Sequence, residues 1–417
     1  MKTLFFVFAI VLLFVNNILS QTKWVVYSTS NSKLPHNEVR DLVFDSSGDL
    51  WIGTMGGIAS YDGSNWSIYS KSNSSLPSNR VMDIALEGNN VWIATDEKGL
   101  IKYDRSTWTV YDYASCGLSP FVHRVTVAAN GCKWIGTAAG LAMFDGTNWS
   151  FFKTTNSGLP VNWVMPVACD GKGNIWIGTS GGLVKYDGSN WSTFTSSNSP
   201  LPDNYIYDIT SEGNTVWIGS DGGLTKYDGT NWTTFNTSNS GLPENKVMCI
   251  AINSNGEKWI GTRNSGLAKF DGSNWVVFNQ SNSILTDLWI EAITFDSKGN
   301  TWIGTMGGGI AVYNESGIVS VPNVKTLNLP ADFKLYQNYP NPFNPSTTIS
   351  FSLPWSQFIT LKIYDILGIE ISTLVNEEKQ PGNYKIKFDG SNLSSGIYYY
   401  QISAGQFVET KKFVLLK

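Results

Sequence analysis

Residues 173–191 read GNIWIGTSGGLVKYDGSNW, and residues 48–66 read GDLWIGTMGGIASYDGSNW. The same phrase recurs, slightly altered, along most of the chain. Successive WIGT-type tetrads are 41 to 43 residues apart, and they begin at Trp51, Trp92, Trp134, Trp176, Trp217, Trp259 and Trp302. A fixed period of this length indicates a repeat architecture that is either stacked or circular.

Each repeat contains four short apolar-rich runs separated by turn residues. In the unit around Trp176 the runs are VMPVAC (164–169), IWIGT (175–179), LVKYD (183–187) and WSTFT (191–195). The segments DGKGN, SGG and DGSN lie between them, and such glycine-, aspartate- and asparagine-rich segments favour tight hairpins. Four short strands joined in this way predict one blade of a β-propeller.

The tetrad tryptophan occupies the same place in every repeat. A four-stranded sheet cannot cover both of its faces alone, so each blade needs a neighbour on either side. One buried tryptophan removes roughly 150–250 Å² from water. At about 25 cal/mol per Å², this burial stabilises a contact between blades by roughly 4–6 kcal/mol before entropy costs. We expect the seven tryptophans to act as wedges between successive blades.

The two ends of the repeat array complement each other. A second tryptophan begins the outer strand of six units, at Trp66, Trp108, Trp149, Trp191, Trp232 and Trp275. The seventh unit ends as AVYNESG (311–317) without one, whereas TKWVVYSTSNSKLP (22–35) precedes the first unit and contains Trp24. The sequence therefore predicts an all-β fold in which residues 22–315 form a seven-bladed β-propeller closed by the N-terminal strand.

The repeats resemble the two-component regulator propeller repeat, as LPSNRVMDIALEGNNVWIATDEKGLIKYD (76–104) illustrates. In that family the propellers form the periplasmic sensing part of membrane histidine kinases and are thought to recognise saccharides. The resemblance implies a recognition function. Because the sequence shows one ring and neither a kinase nor a response regulator, we do not expect it to signal in that way.

The last segment, residues 333–417, has a different character, with alternating β runs and Gly-Asn and Asp-Gly turns that predict a small immunoglobulin-like β-sandwich. YQNYPNPFNP (336–345), IYD (363–365), SGIY (395–398) and TKK (410–412) closely resemble the C-terminal sorting domain of type IX secretion. This resemblance implies export across the outer membrane of a Gram-negative bacterium, with the secretion machinery and a sortase as partners. An ordinary accessory sandwich is the alternative. Residues 316–332 read as the linker.

The N-terminus supports export. Residues 1–20 combine Lys2, an apolar run from Leu4 to Val15 and a small residue, Ser20, in the arrangement of a secretory signal peptide. A retained membrane anchor is the alternative, although the run is short for a bilayer span. We therefore expect a secreted or outer-membrane-surface protein whose mature chain has no integral membrane span.

Composition excludes several partner classes. The formal net charge is -4, only 15% of residues are charged, and no basic run is present, so nucleic acid is not an expected partner. The four cysteines occupy strand-like or loop positions, and we expect no structural disulfide. We expect no cofactor and no metal. The Asp-x-x-Gly turns at Asp45, Asp170 and Asp296 lack the further acids of a calcium loop and read as ordinary hairpins.

Signatures of catalysis are scarce. The sequence contains no HExxH, CxxC, GxSxG or P-loop pattern. Propeller enzymes generally place paired acids or a histidine near the channel mouth, and the candidates for that chemistry are His36, His123, Asp41, Asp83 and Asp208. No loop insertion surrounds them, so we expect a non-enzyme.

Antiparallel strand order places the Asp-x-x-Gly and Asp-Gly-x-Asn hairpins at one end of the propeller, which we call the hairpin face. The Thr-x-Gly-Gly turns and the SNSxLPxN loops lie at the other end, the loop face, where binding is expected. There, one strongly variable position precedes each innermost strand, at Glu38, Arg80, Phe121, Trp163, Tyr205, Lys246 and Trp289. These seven residues are the predicted ligand site. Alternatively, their rings only cover the Leu-Pro loops.

Three functions remain open from the sequence. The first is a secreted or surface-anchored, non-catalytic binding protein that recognises an extracellular glycan or a protein ligand, with aromatic rings stacking on sugar C–H faces. The second is a propeller lyase or glycosidase that acts on polysaccharide. The third is a purely structural or adhesive surface module.

Overall fold

The computed structural model describes residues 23–318, 333–353, 357–379, 382–405 and 407–417. The predicted signal peptide, residues 1–20, and most of the predicted linker, residues 319–332, lie outside these ranges. Within them, no helix combines the length and apolar character that a bilayer span requires.

Seven four-stranded antiparallel sheets form the propeller. The first strand along the chain, β1 (Trp24–Tyr27), belongs to blade 7. The strands of blades 1 to 4, with the short helix that follows blade 2, are β2 (Val39–Phe44), β3 (Leu50–Thr54), β4 (Gly57–Tyr61), β5 (Trp66–Tyr69), β6 (Val81–Glu87), β7 (Asn90–Thr95), β8 (Leu100–Tyr103), β9 (Trp108–Tyr111), α1 (Tyr113–Cys116), β10 (Val122–Val127), β11 (Lys133–Thr137), β12 (Gly140–Phe144), β13 (Trp149–Phe152), β14 (Val164–Cys169), β15 (Ile175–Thr179), β16 (Gly182–Tyr186) and β17 (Trp191–Phe194).

Blades 5 to 7 continue the same order. Their strands are β18 (Ile206–Glu212), β19 (Thr215–Ser220), β20 (Gly223–Tyr227), β21 (Trp232–Phe235), β22 (Val247–Ile252), β23 (Lys258–Thr262), β24 (Leu267–Phe270), β25 (Trp275–Phe278), β26 (Ile290–Phe295), β27 (Thr301–Thr305) and β28 (Ile310–Tyr313). The four strands predicted in the unit around Trp176 agree with β14 to β17 to within one residue at each end.

The blades form a closed circle. The first strand of each blade contacts the first strands of both neighbouring blades, and β26 of blade 7 contacts β2 of blade 1. The N-terminal strand β1 is the outermost strand of blade 7, where Trp24 pairs with Tyr313 and Tyr27 with Ile310. The predicted closure is therefore confirmed.

Aromatic rings fill every interface between blades. The tetrad tryptophans are buried, as predicted, and Trp51 is a typical example. Its ring stacks on Tyr69 of its own blade at 6.0 Å between centroids and contacts Tyr103 of the next blade at 6.3 Å. The equivalent contacts recur around the circle, through to Trp302 with Tyr27 and Tyr61.

Trp24 takes the place of the outer-strand tryptophan that blade 7 lacks. In blade 2, Trp108 stacks on Tyr103 with a centroid distance of 4.2 Å. Trp24 contacts Tyr313 in the same position, at 4.6 Å. The seventh blade thus has the same aromatic contacts as the others, although its outer strand comes from the other end of the propeller.

The aspartates of the Asp-x-x-Gly turns have a structural function. Asp170 Oδ1 accepts from the backbone N–H groups of Lys172 and Asn174, and Oδ2 accepts from the Trp176 indole Nε1 at 3.0 Å. Asp45 and Asp296 make the equivalent bonds. These carboxylates close the hairpin and anchor the wedge tryptophan. Among the described residues, no group of three metal-ligating side chains occurs.

The C-terminal region is a β-sandwich of a three-stranded and a four-stranded sheet, in the strand orders β29-β30-β33 and β32-β31-β34-β35. Its strands are β29 (Lys334–Leu335), β30 (Ser346–Leu353), β31 (Gln357–Tyr364), β32 (Glu370–Lys379), β33 (Gly382–Asp389), β34 (Gly396–Ala404) and β35 (Phe407–Leu415). The YQNYPNPFNP motif is hydrogen-bonded to a core residue of the sandwich. The buried Tyr400 hydroxyl donates to the Tyr336 carbonyl and accepts from the Asn338 N–H.

Candidate ligand-binding face

The seven predicted site residues lie at the loop face. Each directly precedes an innermost strand, and in five blades its carbonyl accepts a hydrogen bond from the turn that follows the tetrad. Examples are Met306 N–H to the Trp289 carbonyl at 3.0 Å and Ala138 N–H to the Phe121 carbonyl at 3.2 Å. In those five blades, the bond sets the residue against the turn of its own blade, on the rim of the channel.

The SNSxLPxN loops of this face are held by hydrogen bonds within the loop. In the loop before blade 2, Asn73 Oδ1 accepts from the Ser70 N–H, and the Asn73 amide donates to the Ile68 carbonyl. Leu76 of the same loop is buried between blades. The loop before blade 3 departs from this pattern and forms α1, capped by Asp112 and ended by Gly117.

Blades 3, 4 and 5 present aromatic side chains on the rim. Phe121 and Trp163 remain exposed, at 47% and 44% of their surface. The His123 ring lies 4.5 Å from the Trp163 ring, and the Tyr205 ring lies 4.7 Å from Tyr207. We call these five residues the aromatic arc. Large exposed rings on a rigid scaffold are typical of a binding surface.

The other blades present ion pairs. Lys246 Nζ lies 2.8 Å from Asp221, and Arg80 pairs with Asp96. Partial burial alone would lower the pKa of Lys246, but its hydrogen bonds to Asp221 and Tyr207 outweigh burial and raise it. The rim is therefore aromatic on one side and ionic on the other.

The junction of blades 7 and 1 contains unsatisfied polar atoms. Arg40 pairs with Glu38 at 2.5 Å and, more loosely, with Glu291 at 3.5 Å, while the Arg263 guanidinium stacks over Trp289 at 4.4 Å. Arg40 Nε is buried without a hydrogen-bond partner, and Trp289 Nε1 and Glu291 Oε1 are buried beside it, the latter in the loose ion pair with Arg40. We call Arg40, Trp289 and Glu291 the polar junction. Buried polar atoms without partners are uncommon and costly.

Charged residues also line the channel beneath the rim. Asp83 accepts from Arg124 at 2.8 Å, and the Asp41 and Asp208 carboxylates accept backbone N–H groups of the next blade, from Ile84 and Ile250. Burial raises the pKa of Asp41 to about 7; the nearby Asp83 adds to the rise, whereas Arg124 opposes it. Burial also raises the pKa of Asp83 and Asp208.

The candidate residues for catalysis are engaged in structural contacts. Asp41, Asp83 and Asp208 join neighbouring blades, as just described. His36 Nδ1 accepts from the Glu38 N–H at 3.0 Å. His123 Nδ1 lies 2.7 Å from the Val164 carbonyl, and burial lowers the pKa of this imidazole.

Several residues of this face were not predicted as part of the site. They are Arg40, Tyr207, Arg263 and Glu291, whereas His123 was named only as a candidate for catalysis. The available signal was the second residue of each innermost strand. It is methionine in three blades, and it is Arg40, His123, Tyr207 or Glu291 in the other four.

Two family models match the sequence. Residues 337–416 match the secretion system C-terminal sorting domain, and residues 33–56 and 158–181 match the two component regulator propeller. The chain carries both features. Both resemblances inferred from the sequence are confirmed, and the sorting domain indicates export to the cell surface.

Solved structures show the same fold at low sequence identity. The extracellular domain of the hybrid two component system BT3049 from B. thetaiotaomicron is 20% identical with a TM-score of 0.63, and the alignment covers 94% of this chain and 57% of that one. PorZ, a surface component of the type-IX secretion system of Porphyromonas gingivalis, is 17% identical with a TM-score of 0.57, covering 91% and 60%.

An enzyme also shares the propeller fold. Virginiamycin B lyase from Staphylococcus aureus is 12% identical with a TM-score of 0.57, and the alignment covers 70% of this chain and 98% of the lyase. This chain spans about three fifths of the length of the BT3049 and PorZ structures. At such identities the likeness establishes the fold alone. Among curated proteins, none matches the sequence significantly.

Proposed function

We propose that the protein is a non-catalytic, cell-surface carbohydrate-binding propeller whose loop face receives an extracellular glycan. The observation that carries this proposal is the pair of exposed aromatic rings, Phe121 and Trp163, on a rim that also presents charged side chains. A ligand that brings both flat C–H faces and hydroxyls would suit both kinds of group.

The chemistry of the rim suits a sugar better than an apolar ligand. The exposed Phe121 and Trp163 rings offer faces on which pyranose C–H groups can stack. The partly exposed Arg80 guanidinium can donate to hydroxyl oxygens, and the Asp221 carboxylate can accept from a hydroxyl. Small-molecule sites usually combine a few precisely placed polar groups with aromatic side chains.

The C-terminal sorting domain indicates where in the cell this binding would take place. We propose that the sorting domain directs the chain through the type IX secretion system to the outer-membrane surface of a Gram-negative bacterium, with the machinery and a sortase as partners. The propeller would then face the extracellular medium, where polysaccharides are available.

A glycan array probed with the purified full chain tests the proposal. We expect binding to a restricted set of glycans and at least a tenfold loss of affinity in the Trp163→Ala/Trp289→Ala double variant. Tyr113→Ala, which removes an exposed ring from α1 without touching the seven predicted positions, is the matched control and should bind normally.

Two results would contradict the proposal. The first is an array without any glycan bound by the folded protein. The second is unchanged glycan binding in the double variant, which would move the site elsewhere. Retained capture of a purified exported protein without glycan binding would favour the protein-ligand alternative instead.

A further inference from the structure

One turn of the C-terminal sandwich presents an apolar tip to solvent. The turn joins β31 to β32 and reads DILG (365–368). Ile366 and Leu367 are 68% and 80% exposed, and Ile369, directly after the turn, is 59% exposed. We call these three residues the apolar tip. In the described part of the sandwich, no other turn presents as many exposed aliphatic side chains.

Hydrogen bonds within the turn hold the apolar tip in place. Asp365 Oδ1 accepts from the N–H groups of Leu367 and Ile369, at 2.9 and 2.8 Å. Gly368 adopts a φ of 80°, which glycine tolerates without strain, and its N–H donates to the Asp365 carbonyl. The tip is therefore a defined projection of the sandwich.

The same turn occurs in the propeller with polar residues in place of the aliphatic ones. In blade 1 the turn reads DSSG (45–48), and Asp45 Oδ1 accepts from the N–H groups of Ser47 and Asp49 in the same pattern. Two serines thus suit this backbone conformation. The formation of the turn does not explain why the sorting domain has Ile366 and Leu367 there.

The outer face of the neighbouring sheet extends the apolar surface. Ile363 is buried, so the next side chain along β31, that of Tyr364, faces the other side of the sheet. Tyr364 pairs with Tyr399 of β34, and Ile397 of the same strand is 40% exposed. Contiguous exposed apolar side chains on a soluble domain usually mark a contact with a protein or a membrane.

The charges around the tip favour a protein over a membrane. Lys362 Nζ lies 2.8 Å from Glu370, so the cation closest to the turn along β31 is already paired. Asp365 belongs to the turn itself, and Lys412 pairs with Tyr399 on the outer face. Two acids and two cations give no net attraction to an anionic lipid surface, whereas protein surfaces that bind such membranes are typically basic.

We propose that the apolar tip binds an apolar pocket in a protein of the secretion machinery and is the surface by which that machinery recognises the sorting domain. This inference rests on the type IX route proposed above and adds the side chains that are recognised. A projecting tip suits a concave partner. Because hydrogen bonds already fix the turn, binding would order little additional backbone.

A secretion assay on the full chain tests the proposal. The chain is produced in a bacterium that has a type IX secretion system, and an antibody against the propeller measures the protein outside the cell and in the periplasm. Ile366→Ser/Leu367→Ser recreates the DSSG turn of blade 1, so the turn should still form. We expect at least a tenfold loss of exported protein, with accumulation in the periplasm.

A matched variant controls for the loss of exposed apolar surface as such. Phe358→Ser/Val408→Ser removes two side chains of the same domain that are each 56% exposed and lie outside the turn, and it should be exported as the parent is. Thermal melts of the purified variants report folding. If the serine pair in the turn unfolds the sandwich, the single change Leu367→Gln should still reduce export at least threefold.

Three outcomes would overturn the proposal. They are normal export of a folded Ile366→Ser/Leu367→Ser variant, an equal loss of export in the Phe358→Ser/Val408→Ser control, and sedimentation of the purified parent with lipopolysaccharide-containing vesicles that the serine pair in the turn abolishes. The last result would make lipid the occupant.

Deletion of residues 333–417 separates this inference from the export route on which it rests. Normal export of the deletion variant would contradict the type IX route itself. Loss of export on deletion, together with normal export of the serine pair in the turn, would contradict only the role of the apolar tip. Glycan binding by the propeller is measured independently of both.

Discussion

Asp83 of blade 2 accepts from Arg124 of blade 3 through Oδ1 and from the Val125 N–H through Oδ2, at 2.8 and 2.7 Å. One carboxylate thus satisfies both a cation and a backbone donor of the neighbouring blade, inside the channel. Burial alone would lower the pKa of Arg124, but Asp83, Asp208 and Asp41 outweigh it and raise that pKa. Arg124 is therefore the cation that holds the channel acids together.

The variant Arg124→Met should strongly destabilise the propeller. Removing one partner of a buried ion pair typically costs about 3–5 kcal/mol, because an uncompensated charge remains. Chemical denaturation measures the change in free energy of unfolding. Arg80→Met breaks the exposed pair with Asp96 and should cost only about 0–1 kcal/mol. Equal losses in the two variants would refute the special position of Arg124.

The channel acids also predict a pH dependence. The pKa of Asp41 is raised from 3.8 to about 7 in the folded protein, so the folded state binds more protons than the unfolded state between these values. Stability is therefore highest below about pH 4, as far as Asp41 is concerned, and falls as the pH rises to about 7. Burial raises the pKa of Asp83 and Asp208 in the same direction.

The variant Asp41→Asn isolates this effect, because asparagine Oδ1 can still accept from the Ile84 N–H but cannot ionise. Its stability relative to the parent should rise across the interval from about pH 4 to about pH 7 and then level off. Acids with lowered pKa, such as Asp45 and Asp170, act only in more acidic solution and affect both proteins alike. Thermal melts at a series of pH values give the comparison, and parallel curves would contradict the prediction.

The first hairpin of blade 6 has Asn253 and Glu257 where blades 4 and 7 have an aspartate and an asparagine, and its Trp259 indole is buried without a hydrogen-bond partner. Restoring the pattern of the other blades should therefore stabilise the fold. The double variant Asn253→Asp/Glu257→Asn recreates the pattern of blades 4 and 7 and gives the Trp259 indole an acceptor. We expect a gain of about 1 kcal/mol in the free energy of unfolding, the usual net contribution of one hydrogen bond. Asp170→Asn is the opposite change and should cost about 1–3 kcal/mol, because it leaves the Trp176 indole unsatisfied. A loss of stability in the repaired hairpin would show that the lost Glu257–Lys269 pair outweighs the new bond.

The sequence predicted the fold far better than it predicted the site. The number of blades, the strand positions and the closure follow from aromatic residues that recur with a fixed period. Each aromatic position is a local signal that the sequence repeats seven times. The polar junction is not such a signal. Its members come from blades 7 and 1 and from positions that vary between repeats, so only the closure of the circle brings the Arg40 guanidinium to within 3.5 Å of the Glu291 carboxylate. The strand irregularity beside each of them recurs in every blade and therefore does not mark this junction.

The helix α1 was also missed, for a related reason. It replaces one copy of the SNSxLPxN loop, and its capping depends on Asp112, Ser115 and Gly117 together. A single turn of helix has no hydrophobic period that sequence analysis could detect. A prediction made from the repeat therefore fails where one copy departs from the others. In this protein, the departure at α1 lies on the face that we propose to bind ligand.

The N-terminal strand should be necessary for the stability of the whole circle. Tyr27, which is 1% exposed, stacks on Trp302 with an angle of 10° between the rings, and its hydroxyl lies 3.5 Å from that of Tyr61 in blade 1. Tyr27→Ala should therefore cost about 3–5 kcal/mol. Tyr113→Ala, at a position that is 75% exposed, should change stability by less than about 0.5 kcal/mol.

Deletion of residues 23–27 goes further, because it exposes β28 as an unpaired edge and uncovers the Trp302 ring at the same time. We expect a lower melting temperature and early proteolytic cleavage within blade 7, with cleavage in blades 3 and 4 following later, since those blades keep both neighbours. Limited proteolysis followed by mass spectrometry locates the first cuts. A deletion variant as resistant to heat and protease as the parent would mean that the circle does not depend on β1.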